Sequence, residues 1–221
     1  IHAIQNCPME WSFTAATDHP DPFNDITLDI LFTDADGEEK TVPAFWAGGR
    51  TWTVRSAPPR TARHAGRSLC RDASDTGLHG REGALEVSSY AGRNPLLRHG
   101  PLEKSADGRF LEHADGTPFF WLADTWWMGL GARLHWPDEF QQLTADRADK
   151  GFSVIQIVAG LFPDVPPFDE RTFNETGYPW TEEWGALRPA WVDKATERVS
   201  HLMEQGRPPC TLGSWGCQCI C

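Results

Sequence analysis

Positive charge is scarce in this chain. Its 221 residues hold 20 Lys and Arg against 31 Asp and Glu, giving a formal net charge of -11 at pH 7 and a pI near 5.1. Such a surface repels polyanions, which argues against nucleic-acid partners and anionic membranes. Long apolar runs are missing as well: none approaches the ~20 residues that a membrane-spanning helix needs. No signal-peptide pattern stands at the start, yet the chain opens on Ile1 rather than Met. That leaves room for an upstream segment and keeps the compartment open, with an extracellular or periplasmic location favoured over a cytoplasmic one.

What is present is an ordinary soluble composition, 40% hydrophobic and 23% charged. Its length suits one large or two small domains. Tryptophan is the oddity. Of 11 in all, Trp121, Trp126, Trp127, Trp136, Trp180, Trp184, Trp191 and Trp215 fall in the second half. An indole suits both core filling and stacking on a sugar ring, and for any one of them core filling is the preferred reading. Clustering at a strand end and in a loop adds weight to the second use.

The periodicity divides the chain. Up to about residue 105 it reads as all-β. Ile26, Leu28, Ile30 and Phe32 alternate with polar neighbours, Asp34-Ala-Asp-Gly37 turns, and residues 41–46 return as a partner strand. Trp52 with Val54 and Leu85 with Val87 alternate again. Short strands at this spacing predict a sandwich. Residues 60–71 break the pattern, with four arginines and a histidine where an alternating aromatic strand belongs. An anion site and a solvated, irregular strand are the two readings, and the second is preferred. Asn94-Pro-Leu-Leu-Arg-His-Gly-Pro101 then reads as a linker.

From Phe110 the period changes to strand and helix in turn. Asp115-Gly116 marks a hairpin, and the apolar run 119–123 predicts a buried strand ending in Asp124. Pro137-Asp-Glu opens a helix through Phe140, Leu143 and Ala148, which Lys150-Gly151 closes. Residues 152–159 form the second strand. Val192, Ala195, Val199 and Leu202 share one face of a second helix, stopped by Gly206, and residues 210–213 make a short third strand.

Two segments carry a resemblance. Residues 5–102, with Trp11-Ser-Phe-Thr-Ala15 as first strand, resemble the immunoglobulin-like domain that precedes several glycoside hydrolases. The strand ending Ala-Asp-Thr-Trp-Trp127, followed by Lys150-Gly-Phe-Ser-Val-Ile-Gln156, is similar to the opening of the apiosidase-like (β/α)8-barrel glycoside hydrolases. The implied fold is multi-domain: an all-β immunoglobulin-like sandwich over 1–102, then an incomplete α/β (TIM-barrel) domain of about three βα units over 103–221. A closed barrel takes about 250 residues, so five strands are expected to be missing. Two prolines in the third strand, and a Cys217-Gln-Cys-Ile-Cys221 end that matches nothing in the family, suggest a frameshift or premature stop near Arg207.

The resemblance implies a glycoside hydrolase acting on polysaccharide or oligosaccharide side chains, with a carbohydrate as partner and no cofactor. Its catalytic carboxylates would sit on strands beyond the third, so no catalytic residue is assigned and the fragment is expected to be inactive. The assigned substrate-binding residues are Asp124, Trp126, Trp127, Gln156 and Trp215. Asp124 either accepts from sugar hydroxyls or caps the next loop. Trp126 or Trp127 stacks on a sugar or fills the core. Gln156, the strongly polar side chain of an apolar strand, must be hydrogen-bonded if buried; it meets ligand or pairs with Asp124, the two sharing one side of the sheet. Asn174, Tyr178, Trp180 and Trp184 are placed along a sugar channel, and Asp164, Asp169 and Glu170 on a solvated loop face. No metal site is assigned, because Cys210, Cys217, Cys219 and Cys221 with His201 lack the usual ligand spacing. Cys7 and Cys70 remain a possible bridge. The alternative function is a non-catalytic carbohydrate-binding or adhesion module. Sugar, linkage and oligomeric state are not legible.

Overall fold

A computed structural model describes residues 1–160, 162, 165, 166 and 168–213. The chain divides into two compact units, Ile1–Arg93 and Asn94–Cys221.

The first unit is built on seven strands: β1 (His2–Ile4), β2 (Met9–Thr14), β3 (Leu28–Thr33), β4 (Glu39–Gly48), β5 (Thr51–Ser56), β6 (Arg63–Cys70) and β7 (Glu82–Ser88). A single helical turn, α1 (Pro22–Asp25), lies between β2 and β3, with Asp21 capping its N-terminus. Alternation puts Leu28, Ile30 and Phe32 of β3 into the core with Phe13, Trp52, Val54 and Leu85. Burying each such side chain contributes roughly 1.5–3 kcal/mol. The β3–β4 turn is set by Asp34, whose Oδ1 accepts from the N–H of Asp36 at 3.0 Å and of Glu38 at 2.9 Å. Gly37 takes the left-handed φ of 81° that the turn needs.

The strand order is β1-β7-β6-β3-β4-β5-β2 in one mixed sheet. β4 makes it continuous. Its first half pairs with β3 as far as Pro43, and its second half pairs with β5 from Ala44 onward. The two ends of the order, β1 and β2, are joined through residues 5–8 alone. So short a connection requires the sheet to curl nearly to closure. Trp11 of β2 accordingly lies over Gly66 of β6 and Gly83 of β7.

Residues 60–71 hold a regular strand after all. β6 alternates without a fault, His64, Gly66, Ser68 and Cys70 inward and Arg63, Ala65, Arg67 and Leu69 outward, and it is hydrogen-bonded to β3 and β7 on its two sides. Its arginines are the solvent face of a central strand.

The second unit begins with α2 (Pro95–His99) and an antiparallel triplet, β8 (Leu102–Lys104), β9 (Leu111–His113) and β10 (Pro118–Phe119). The β9–β10 turn is the one expected at Asp115-Gly116: Asp115 Oδ1 accepts from Thr117 N at 3.0 Å, and Gly116 has φ 83°. A parallel triplet follows, β11 (Ala123–Trp126), β12 (Val154–Val158) and β13 (Pro209–Leu212), with β12 in the middle. Helices α3 (Asp138–Asp149) and α4 (Pro189–Glu204) separate its strands in sequence. Trp126, Phe140, Ile155, Ile157, Trp191, Ala195 and Leu202 form the core between sheet and helices.

The expected first strand is displaced. Residues 119–123 do not form it: β10 ends at Phe119, Phe120 is 77% exposed, and parallel pairing starts only at Ala123. More broadly, the expected fold class is not what the chain adopts. An immunoglobulin-like sandwich followed by an incomplete TIM barrel would be two facing sheets and then a regular βα series. The structure is instead mostly β, with one nearly closed seven-stranded mixed sheet, two small triplets, and two helices longer than five residues among the described residues.

Candidate functional site

The parallel triplet has two unlike faces. Trp126, Ile155 and Ile157 turn into the helix-side core. Thr125, Gln156 and Cys210 sit level with one another on the three strands and point the other way.

Asp124 belongs to the first face. Its Oδ2 accepts from Trp126 Nε1 at 2.9 Å and from Arg147 Nε of α3, and its Oδ1 accepts from Thr125 N at 2.9 Å. Partial burial pushes its carboxyl up, but the Arg147 and Trp126 donors outweigh that and hold it below the ordinary value. Arg147 also binds Asp146 and lies 5.5 Å from the Phe152 ring centre. Asp124 and Gln156 therefore occupy opposite faces, which corrects the expectation that they share one. Alternation decided it: 124 and 126 have the same parity, and Trp126 is claimed by the core. Trp126 is 7% exposed and edge-on to Phe140 at 5.4 Å, whereas Trp127 is 39% exposed. Trp127 lines a cleft of about 490 Å3 with Met128, Arg133, Leu134, Val165 and Arg171. Gln156 is half-buried. Trp215 and Asp164 lie outside the described residues, as do Cys217, Cys219 and Cys221.

The long loop that follows β12 holds the densest aromatic group. Tyr178, 5% exposed, is its centre, with ring centroids of Phe168 at 4.5 Å, Phe173 at 6.0 Å and Trp184 at 6.1 Å. Trp184 also meets Phe168 at 5.0 Å and Trp180 at 6.0 Å. A short hairpin presents it: Trp180 bridges to Leu187, and Thr181 N donates to Ala186 O at 2.8 Å. At the tip Trp184 has φ 62°, and across the cluster Phe168 has φ 61°. Bulky side chains seldom adopt that region, which costs about 1–3 kcal/mol and tends to mark functional positions.

The cluster stands at the C-terminal ends of β12 and β13. A Cβ on Gly160, two residues past β12, would lie 3.6 Å from Trp180 Nε1 and 3.9 Å from Gly213 O. Of the four loop residues expected along a sugar channel, Trp184 is open to solvent at 39% and Trp180 is half-buried. Asn174 and Tyr178 are interior supports. Asn174 donates to Trp191 O at 3.2 Å and accepts from Thr176 N at 2.9 Å. Phe168 escaped sequence reasoning because nothing in a Pro-Pro-Phe string announces a left-handed backbone.

Two carboxylates of this loop are held by arginines. Asp169 receives Arg171 in two-pronged fashion at 2.8 and 2.6 Å and is pulled down to about 2. Glu175 is bound by the fully buried Arg198 at 2.6 Å; burial raises its carboxyl, and the arginine outweighs that. A general acid needs a carboxyl still protonated near neutral pH, and these two, like Asp124, are driven the other way. Among the described residues no group of His, Cys, Asp or Glu is placed to hold a metal ion. Cys7, Cys70 and Cys210 are free thiols. The arrangement suits stacking and hydrogen bonding.

Comparison with known proteins adds the following. Residues 105–220, more than half of the chain, match the family model described as apiosidase-like, catalytic domain, and residues 7–65 match a domain of unknown function, DUF5060. No curated protein matches. A crystal structure of a candidate glycoside hydrolase from Bacteroides vulgatus aligns with a TM-score of 0.72 at 22% identity, over 96% of this chain and 41% of its own. The two share a fold, and the present chain spans well under half of that protein. A family 5 glycoside hydrolase, also from Bacteroides vulgatus, aligns over 57% of this chain and 26% of its own at 21% identity, with a TM-score of 0.40 that carries no weight for the fold.

Proposed function

Since the chain belongs to the apiosidase-like family, we propose that it is part of a glycoside hydrolase acting on the side chains of polysaccharides or oligosaccharides. In this reading the described residues contact the carbohydrate, and the acid/base and nucleophile lie outside them. The observation that carries it is Trp184, exposed and held in a left-handed turn beside Trp180 at the C-terminal edge of the parallel sheet. That edge is where open parallel sheets bind ligands. An indole fixed by Phe168 and Tyr178 offers a flat apolar face to the C–H side of a sugar ring.

The arginine-held carboxylates support the second half of the reading. A retaining glycosidase needs two carboxyl groups about 5–5.5 Å apart, one of them protonated. Asp124, Asp169 and Glu175 are each committed to a guanidinium instead. Isothermal titration with branched oligosaccharides tests the site. Trp184→Ala is expected to weaken binding about tenfold, or about 1.4 kcal/mol, and Trp184→Phe to keep most of it. Equal affinity in Trp184→Ala and the parent chain would contradict the assignment.

A further inference from the structure

The cleft that Trp127 lines, about 490 Å3 in volume, lies between the β11–α3 loop and the loop that follows β12. Trp127, Arg133 and Leu134 come from the first loop, Val165 and Arg171 from the second. The two loops are stapled together. Ala132 N donates to Phe173 O at 2.6 Å, and a Cβ on Gly131 would lie 3.3 Å from that same oxygen and 3.5 Å from Thr172 O. Arg133 follows this staple directly, and Leu134 beyond it packs on the helix-side core. The backbone that carries the Arg133 guanidinium is therefore anchored on both sides. Trp127, 39% exposed, gives the cleft an open apolar wall. In a chain of net charge -11, the charged side chains lining this cleft among the described residues are both arginines. Arg133 is exposed and makes no ion pair among the described residues. Arg171 gives its Nε and one terminal nitrogen to Asp169 at 2.8 and 2.6 Å, which fixes the fork and leaves Nη1 outside that pair.

We propose that this cleft is a subsite for an acidic sugar residue, with the carboxylate of a uronate on Arg133 and its ring against Trp127. This rests on the glycoside hydrolase reading above and narrows it to saccharides that carry a carboxylate. A guanidinium is planar and always charged, and its paired N–H groups match the two oxygens of a carboxylate. A hydroxyl brings no charge to it and cannot fill both prongs at once. An indole face beside a fixed positive charge is a demand that a small free anion does not meet. A uronate ring meets it, with C–H groups on one face and the carboxylate at its edge. The charge on Arg171 is offset by Asp169, so Arg133 carries the selectivity and Arg171 adds donors from the facing loop. The acidic surface as a whole opposes a long polyanion, which favours a single uronate or a short acidic branch.

The test titrates the full chain calorimetrically with glucuronosyl-xylotriose and with trigalacturonate, each beside its carboxyl-reduced form, in which a hydroxymethyl group replaces each carboxylate. At least one acid is expected to bind about tenfold more tightly than its reduced form. That preference should shrink as NaCl is raised from about 0.02 to about 0.5 M, because Arg133 is exposed to screening. Arg133→Ala should bring the acid down to the affinity of its reduced form with the thermal midpoint unchanged, and Arg133→Lys should keep part of the preference. Trp184→Ala should weaken acid and reduced form alike and leave their ratio as it was. Acids that bind no more tightly than their reduced forms would overturn the proposal, and so would a preference that survives Arg133→Ala. Reduced forms that still bind through Trp184 would keep the earlier reading standing in either case. An intact, Arg133-dependent preference with no weakening in Trp184→Ala would overturn the Trp184 assignment alone.

Discussion

Asp75 shows how much structure one buried carboxylate can organise. Three backbone N–H groups and His19 converge on it. Burial alone would raise its pKa, and these donors outweigh burial and lower it. Its folded-state pKa thus lies below the ordinary aspartate value of 3.8, so the associated stability is fully present above that value and is lost as pH falls through the folded-state value. Asp75→Asn is expected to destabilise the chain by about 1–3 kcal/mol at neutral pH, and to flatten the drop in thermal midpoint between pH 4 and pH 2. A parent chain and variant with parallel pH profiles would refute the linkage. Asp124 teaches a different lesson. Its position after an apolar run was legible, but its partner was not, because Arg147 is 23 residues away and only packing brings α3 over β11. Asp124→Ala should leave Arg147 with Asp146 as its remaining acidic partner among the described residues and cost roughly 1–3 kcal/mol, read as a lowered urea midpoint. A loss of saccharide affinity at unchanged stability would instead restore Asp124 to the ligand.

At the scale of elements, the parts with strong periodicity were readable and those with small or polar interiors were not. β3 announces itself through Leu28, Ile30 and Phe32, and α3 and α4 through their caps and spacing. β6 hides because its inward residues are His64, Gly66, Ser68 and Cys70. The volume they leave empty is filled from another strand by Trp11, a pairing that no local pattern encodes. The displaced strand fails for the opposite reason: Phe120, Trp121 and Leu122 look like core, yet they are at least 36% exposed, and the ladder begins where Val154 N reaches Leu122 O at 3.2 Å. The Trp11 pairing can be checked directly. Gly66→Ala would press a methyl into the indole and is expected to cost about 1–3 kcal/mol, with part of that recovered in the Gly66→Ala, Trp11→Phe double variant. Tolerance of Gly66→Ala without any fall in thermal midpoint would show that the ring is not seated there.

For the molecule as a whole, motif located the family while the architecture needed coordinates. The Ala-Asp-Thr-Trp-Trp127 and Lys150-Gly-Phe-Ser-Val-Ile-Gln156 strings pointed to the apiosidase-like family that the match over residues 105–220 establishes. The sheet of the first unit was misread as a sandwich because the switch of β4 from one partner to another at Pro43 and Ala44 leaves no mark in hydrophobic alternation. The candidate site was legible as a class, indoles near strand ends, and not as a constellation: Trp180 and Trp184 carry the exposed face, while Trp126 and Tyr178 are interior. The central claim is that the described residues bind carbohydrate through that face and do not turn it over. Its most direct test measures binding and product release together, with the purified 221-residue chain on branched oligosaccharides and aryl glycosides. The account predicts saturable binding that weakens about tenfold in Trp184→Ala, with no sugar released above the blank. Turnover abolished by replacing a single carboxylate among residues 94–213 would contradict it.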